Sequence, residues 1–177
     1  SLDRQCASGM MAIATAAKQV VMDGMDIVIG GGVESISMVQ TPEMRVAADK
    51  WLKQHKPEMY MTMLETAENV AERYNISREA QDEYSERSQE RTHHGQQSGK
   101  FDDEIVEMST TMMMQNKETK EITSHDVTVE KDEGNRPGTS AESLAGLKPV
   151  FKDGMNLAQG EFITAGNASQ LSDGASA

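Results

Sequence analysis

The sequence predicts a mixed α/β chain, and three observations predict it. A helix of small and apolar residues from Ala7 to Val21 is followed by a short apolar strand, Asp26-Ile27-Val28-Ile29. A polar, methionine-rich middle region carries two amphipathic helical patterns and then two runs of β-formers. The last residues, Asp173-Gly174-Ala175-Ser176-Ala177, read as another helix just starting.

The opening stretch, Leu2-Asp3-Arg4-Gln5-Cys6-Ala7-Ser8-Gly9-Met10, holds the only cysteine in 177 residues. Between Ala7 and Val21 only Lys18 and Gln19 carry a charged or amide side chain. A helix apolar on nearly every face is normally buried. Cys6 then falls at the first turn of a buried helix, where unpaired N–H groups and the positive end of the helix dipole favour a thiolate. The alternative is that a lone cysteine is a small, inert hydrophobe.

Asp23-Gly24 is a stop signal for that helix, and the strand at residues 26–29 is expected to be buried. Gly30-Gly31-Gly32 follows. Without a following Lys-Ser/Thr pair or a GxGxxG spacing, this run reads as a tight turn packed close to the helix rather than a phosphate cradle.

In the middle region, Thr66 to Tyr74 is an amphipathic helix in which Ala67, Val70, Ala71 and Tyr74 share a face, and Asn75 can end it. Ser77 caps the next helix, which places Ala80, Tyr84 and Ser88 on one side and closes at His93-His94-Gly95. Glu79 and Asp82 suit its first turn. Adjacent histidines point in different directions on a helix and no carboxylate recurs at ligand spacing, so they read as a solvated helix end and no metal is expected. Phe101–Val106 and Ile122–Val129 read as strands around a polar turn at Asn116-Lys117, with Met112-Met113-Met114 between them as packing. Residues 132–139 form a loop by composition.

With 37% hydrophobic and 26% charged residues and a mean hydropathy of −0.59, the composition is that of an ordinary globular protein. No run approaches the roughly 18 apolar residues of a membrane span, so no membrane partner is expected. A single cysteine excludes an internal disulfide and suits a reducing cytoplasm. The net charge of −12 argues against a nucleic-acid partner. It leaves open a local phosphate site built from a few placed cations or a helix N-terminus.

Four segments carry a family resemblance. Asp3-Arg4-Gln5-Cys6-Ala7-Ser8-Gly9 resembles the Asn-Arg-x-Cys-x-Ser-Gly motif of the thiolases, with Asp3 at the usual asparagine. Gly31-Gly32-Val33-Glu34-Ser35-Ile36-Ser37 is similar to the family's Gly-Gly-x-Glu-Ser-Met-Ser stretch. Met63-Leu64-Glu65-Thr66-Ala67-Glu68 resembles Met-Gly-x-Thr-Ala-Glu, with Leu64 at the usual glycine. Thr164 to Ala175 resembles Thr-Ala-Gly-Asn-Ala-Ser-x-x-x-Asp-Gly-Ala.

The resemblance implies the layered α/β thiolase fold, in part, with an inserted α+β loop domain. Residues 1–37 would belong to the core, 38–162 to the loop domain, and 163–177 to the return to the core. It implies that Cys6 is the acylated nucleophile. Met63 would lie against the pantetheine or acyl tail, Leu64 would reshape that wall, and Lys148, in Leu147-Lys148-Pro149-Val150-Phe151, would meet the nucleotide end of coenzyme A. Read without the family, Met63 is equally a core filler and Lys148 a solvated lysine. Asn167 and Ser169 would hold backbone at a turn and helix start.

The chemistry implied is acyl transfer through an acyl-cysteine, acting on coenzyme A and its acyl thioesters without a cofactor, in a homodimer or homotetramer. The reaction would be condensation of two acetyl-CoA, or thiolytic cleavage of a 3-ketoacyl-CoA. Family enzymes draw their acid/base groups from a Gly-His-Pro and a Cys-x-Gly segment, and neither occurs here. The expectation is therefore an internal piece of a longer enzyme, inactive alone. Two rivals are a related enzyme preferring longer acyl groups, and a truncated or degenerate chain with only a packing or association role.

Overall fold

The computed structural model describes residues 1–39 and 48–177. The start of the expected loop domain at residues 40–47 lies outside the described residues. The chain divides into two compact units, Ser1–Ala48 with Ser169–Ala177, and Asp49–Ala168.

In the first unit a 3-10 turn, Gln5–Ala7, runs directly into helix α1, Ser8–Asp23. Gly24 ends α1 in the left-handed conformation at φ 71°, where its missing Cβ removes the steric penalty. Strand β1, Gly32–Glu34, precedes the short helix α2, Ile36–Val39. The chain's end supplies strand β4, Gly174–Ser176, antiparallel to β1 with Val33 opposite Ala175.

Three expectations for this unit are corrected. Residues 173–177 are no helix start: Gly174–Ser176 form a strand because they find β1 to pair with. The apolar run 26–29 is no strand: the β1 ladder falls on Gly32–Glu34 instead, and Ile27 remains 87% exposed. Helix α1 contains no buried residue, and Met10 and Ile13 are exposed. All-round apolarity is a demand for cover, met only when other segments supply it. The glycine run does lie on α1: a Cβ on Gly30 would come within 3.4 Å of the Ala12 carbonyl.

The second unit opens with helix α3, Lys50–His55, capped by the Asp49 carboxylate, which accepts the Leu52 N–H at 2.8 Å. Helix α4, Met63–Tyr74, begins with Thr62 as cap and ends at Asn75 in the left-handed region, φ 53°. Helix α5 spans Arg78–Gln97, with the Ser77 hydroxyl accepting the Ala80 N–H at 3.2 Å. It runs past His93-His94-Gly95, because Gly95 is a buried packing position: a Cβ there would lie 2.9 Å from the Phe101 ring.

The ribbon that follows pairs β2, Met108–Gln115, with β3, Ile122–Val129, from Met108 opposite Val129 to Gln115 opposite Ile122. The expected strand at Phe101–Val106 is instead turn and irregular backbone; pairing with β3 moves the first strand onto the methionine run. Met112, Met113 and Met114 are exposed on β2 and pack into no core. The turn lies where expected, and Asn116 Oδ1 organises it by accepting the N–H groups of Glu118 and Thr119 at 2.9 and 3.1 Å. A short helix α6, Ala141–Ala145, is closed by a reciprocal capping box between Ser140 and Ser143. Residues 149–164 then fold back on themselves, with Pro149 opposite Thr164 and Lys152 opposite Gln159.

Among the described residues the buried apolar ones are Ala71, Leu144, Phe151 and Ile163, all in the second unit. The helix faces differ from the apolar pattern. On α4 the buried positions are Glu65, Glu68 and Ala71, while Val70 and Tyr74 are exposed. On α5 Asp82 and Gly95 are buried, while Ala80, Tyr84 and Ser88 face outward. Polar groups win these faces because each finds its hydrogen-bond partners there.

Candidate active site

Cys6 occupies the 3-10 turn at the entrance to α1, and its thiol is free and exposed. The preceding residue, Gln5, has φ 51°, a left-handed conformation that costs a non-glycine residue about 1–2 kcal/mol. Local hydrogen bonds hold it there. Asp3 Oδ1 accepts the Gln5 N–H at 2.7 Å, the Ala7 N–H donates to the Arg4 carbonyl at 3.1 Å, and the Arg4 N–H donates to Ser8 Oγ at 2.9 Å. Asp and Asn make the same turn-forming contact, so Asp3 serves the loop as the usual asparagine could. A strained residue beside an exposed thiol suits a site whose thiol is aimed by backbone rather than by packing.

The other predicted site residues belong to the second unit. Met63 and Leu64 open α4 and are 77% and 38% exposed. Met63 is therefore a surface side chain, not a filler between helices. Lys148 is exposed, immediately before Pro149 of the folded-back ribbon. Leu147, just ahead of it, is fixed through its carbonyl, which accepts from Arg78 Nη2 at 3.2 Å; the same nitrogen binds the Leu144 carbonyl at 2.7 Å. Among the described residues no group of three His, Cys, Asp or Glu gathers as for a metal ion.

Sequence reasoning missed the buried carboxylates that fix this unit. Glu65 and Glu68 are each only 1% exposed. Glu65 accepts the N–H groups of Asn156, Met155 and Leu157 at 2.6, 3.0 and 3.2 Å. Asn156 first, then Met155, hold its carboxyl below the ordinary glutamate value against the opposing effect of burial, with Leu157 adding to them. Glu68 accepts from Glu161, Phe162 and Ile163, with its shortest bond, from Ile163, at 2.8 Å. Asp82 forms an ion pair with Arg78 at 2.8 Å and accepts from Asn167 Nδ2 at 3.0 Å. Asn167 also accepts the Thr164 N–H at 2.8 Å through Oδ1, closing the Thr164–Asn167 turn. The available signal was spacing: Glu65, Glu68 and Asn75 bracket a helix whose carboxylates recur at i, i+3 beside Ala71.

The chain matches the family described as "Thiolase, N-terminal domain" over residues 1–177. It is 41% identical over 179 residues to the peroxisomal 3-ketoacyl-CoA thiolase of Yarrowia lipolytica, covering 100% of this chain and 41% of that protein. The dimeric peroxisomal thiolase of Saccharomyces cerevisiae superposes with a TM-score of 0.76 at 31% identity, over 98% of this chain and 41% of that one. The human mitochondrial 3-ketoacyl-CoA thiolase in complex with CoA superposes with a TM-score of 0.70 at 30% identity, over 98% of this chain and 42% of that one. The chain thus spans about two-fifths of the length of these proteins, and its fold is part of their α/β fold.

Proposed function

The chain belongs to the thiolase family, and from that premise we propose that the protein transfers acyl groups between coenzyme A thioesters through an acyl-Cys6 intermediate. The observation that carries the reading is the exposed Cys6 thiol, set at the entrance to α1 behind a left-handed Gln5. Cys6 attacks the ketone carbon of a 3-ketoacyl-CoA, the bond to the α-carbon breaks, and that carbon takes a proton to leave as acetyl-CoA. The thiolate of free coenzyme A then takes the acyl group from sulfur, and the reverse sequence condenses two acetyl-CoA.

Met63 and Leu64 are assigned to the wall along the pantetheine or acyl tail, and Lys148 to the nucleotide end. The step needs a base for Cys6 and an acid/base for the α-carbon. No histidine here precedes a proline and there is no second cysteine, so the proposal assigns both roles to groups outside these 177 residues. The yeast relative is named as dimeric, which supports a homodimer for this protein, with a homotetramer as the alternative. The cytoplasm suits a lone thiol, and the relatives named as peroxisomal make that organelle the rival setting; fractionation of the source cell decides.

The test is mass spectrometry of tryptic peptides after brief exposure of the intact protein to acetyl-CoA. The acetyl group should sit on Cys6 and be absent from C6A. An acetyl group elsewhere, with C6A still fully active, would overturn the assignment.

A further inference from the structure

Residues 149–164 form an irregular antiparallel ribbon, held by Val150 N–H to the Ile163 carbonyl at 2.9 Å, Gly160 N–H to Phe151 at 3.0 Å and Asp153 N–H to Ala158 at 2.9 Å. Two carboxylates from one helix grip it at two places. Glu65 takes the three successive N–H groups of the ribbon's turn, residues 155–157. Glu68, one helical turn along α4, takes the three N–H groups of the returning limb, residues 161–163. A nearly fully buried carboxylate is costly unless its charge is met, and here backbone N–H dipoles meet it instead of a mobile lysine or arginine.

The ribbon is shaped for this approach. A Cβ on Gly154 would come within 2.7 Å of the Glu65 carboxyl carbon, and one on Gly160 within 2.8 Å of that of Glu68. Backbone donors on one element and short acidic side chains on the other leave little freedom to slide. Grips at i and i+3 also resist rotation of the helix against the ribbon.

We infer that Glu65 and Glu68 are positioning residues for coenzyme A, fixing the helix that carries Met63 and Leu64 to the ribbon that begins beside Lys148. The inference rests on the roles proposed above for those three residues. Met63 and Leu64 directly precede Glu65 in α4. Lys148 stands one residue before the Pro149–Thr164 pairing, and Ile163, which pairs with Val150, donates its own N–H to Glu68. The clasp thereby sets the relation between the wall for the acyl arm and the cation for the nucleotide, while touching neither end of the ligand.

The experiment compares the intact wild-type protein with E65Q, E68Q and E65D. Each is assayed on acetoacetyl-CoA and on the acetoacetyl thioester of N-acetylcysteamine, which lacks the nucleotide and most of the arm. A glutamine turns one acceptor oxygen into a donor that faces N–H groups. Folded E65Q and E68Q should raise KM for acetoacetyl-CoA about tenfold with kcat within about twofold, and kcat/KM for the truncated thioester should hold within about twofold. E65D keeps the charge and should recover part of the loss; it also decides the matter if the glutamine variants fail to fold. An unchanged KM in a folded variant, or equal losses on both substrates, would overturn the inference while leaving acyl transfer at Cys6 intact. A wild type that never acylates Cys6 removes the functional reading itself, and the inference with it.

Discussion

Ser37 and Asp173, 136 residues apart, are joined through both oxygens of the aspartate: the Ser37 N–H donates to Oδ1 at 3.0 Å, and the Ser37 hydroxyl donates to Oδ2. The bond places a carboxylate at the first turn of α2 and anchors the start of β4 one residue beyond. The Ser37 hydroxyl, with its backbone N–H second, holds the Asp173 carboxyl below the ordinary aspartate value.

That link predicts how stability follows pH. A carboxyl depressed in the folded state contributes fully above its unfolded value, 3.8 for Asp173 and 4.5 for Glu65, and its contribution is lost as pH falls through the lower folded value. Tm of the intact protein should therefore decline on acidification below about pH 4.5. The decline should be shallower in D173N, which lacks the titrating group. Parallel wild-type and D173N curves from pH 7 to 3 would contradict the link.

Gly160→Ala should destabilise the protein by about 1–3 kcal/mol, because the added Cβ meets Glu68 and comes 3.0 Å from Phe151 Cβ, with both neighbours buried. Gly9→Ala is the contrast: the space around it is open, and alanine in α1 should be neutral or stabilising by up to about 1 kcal/mol. Denaturant midpoints for the two variants decide.

Ser77→Ala should cost about 1 kcal/mol, since the hydroxyl is the side-chain acceptor for the first turn of α5. Ser77→Asp should keep the cap. Equilibrium unfolding of both variants checks the ordering.

Leu64→Ala should relax acyl selectivity. With Leu64 assigned to the acyl wall in place of the family's glycine, its side chain should take room from the acyl group, and a misfit of one methylene is worth about 1–3 kcal/mol. The intact wild type should favour acetoacetyl-CoA over longer 3-ketoacyl thioesters in kcat/KM, and the variant should narrow the ratio. Alanine keeps α4 helical where glycine would add a backbone cost. Equal specificity constants in the wild type would contradict the assignment.

Local chemistry was legible in the sequence wherever a few adjacent residues decide the outcome. Gly24, Asn75 and Ser77 end or cap helices through their own backbone freedom or hydroxyl, and Asn116 makes its turn with its own side chain, so each could be read in place. The motif around Cys6 was readable for the same reason, down to the family it belongs to. Its left-handed Gln5 was not, because glutamine carries no signature of that conformation.

By itself, then, the sequence determined the family, the identity of the candidate nucleophile, the main helices and the β3 strand. Tertiary structure alone decided which residues those elements bury and where the other strands fall. Burial follows from what arrives to cover a face: α1 is apolar on nearly every face yet holds no buried residue, while α4 turns Glu65 and Glu68 inward. The acids are stable there because six backbone N–H groups, from residues about 90 positions away, converge on them. Strands are likewise decided by partners, so β4 forms against β1 and β2 forms on the methionine run, where a residue-by-residue pattern cannot see the neighbour that supplies half of every hydrogen bond.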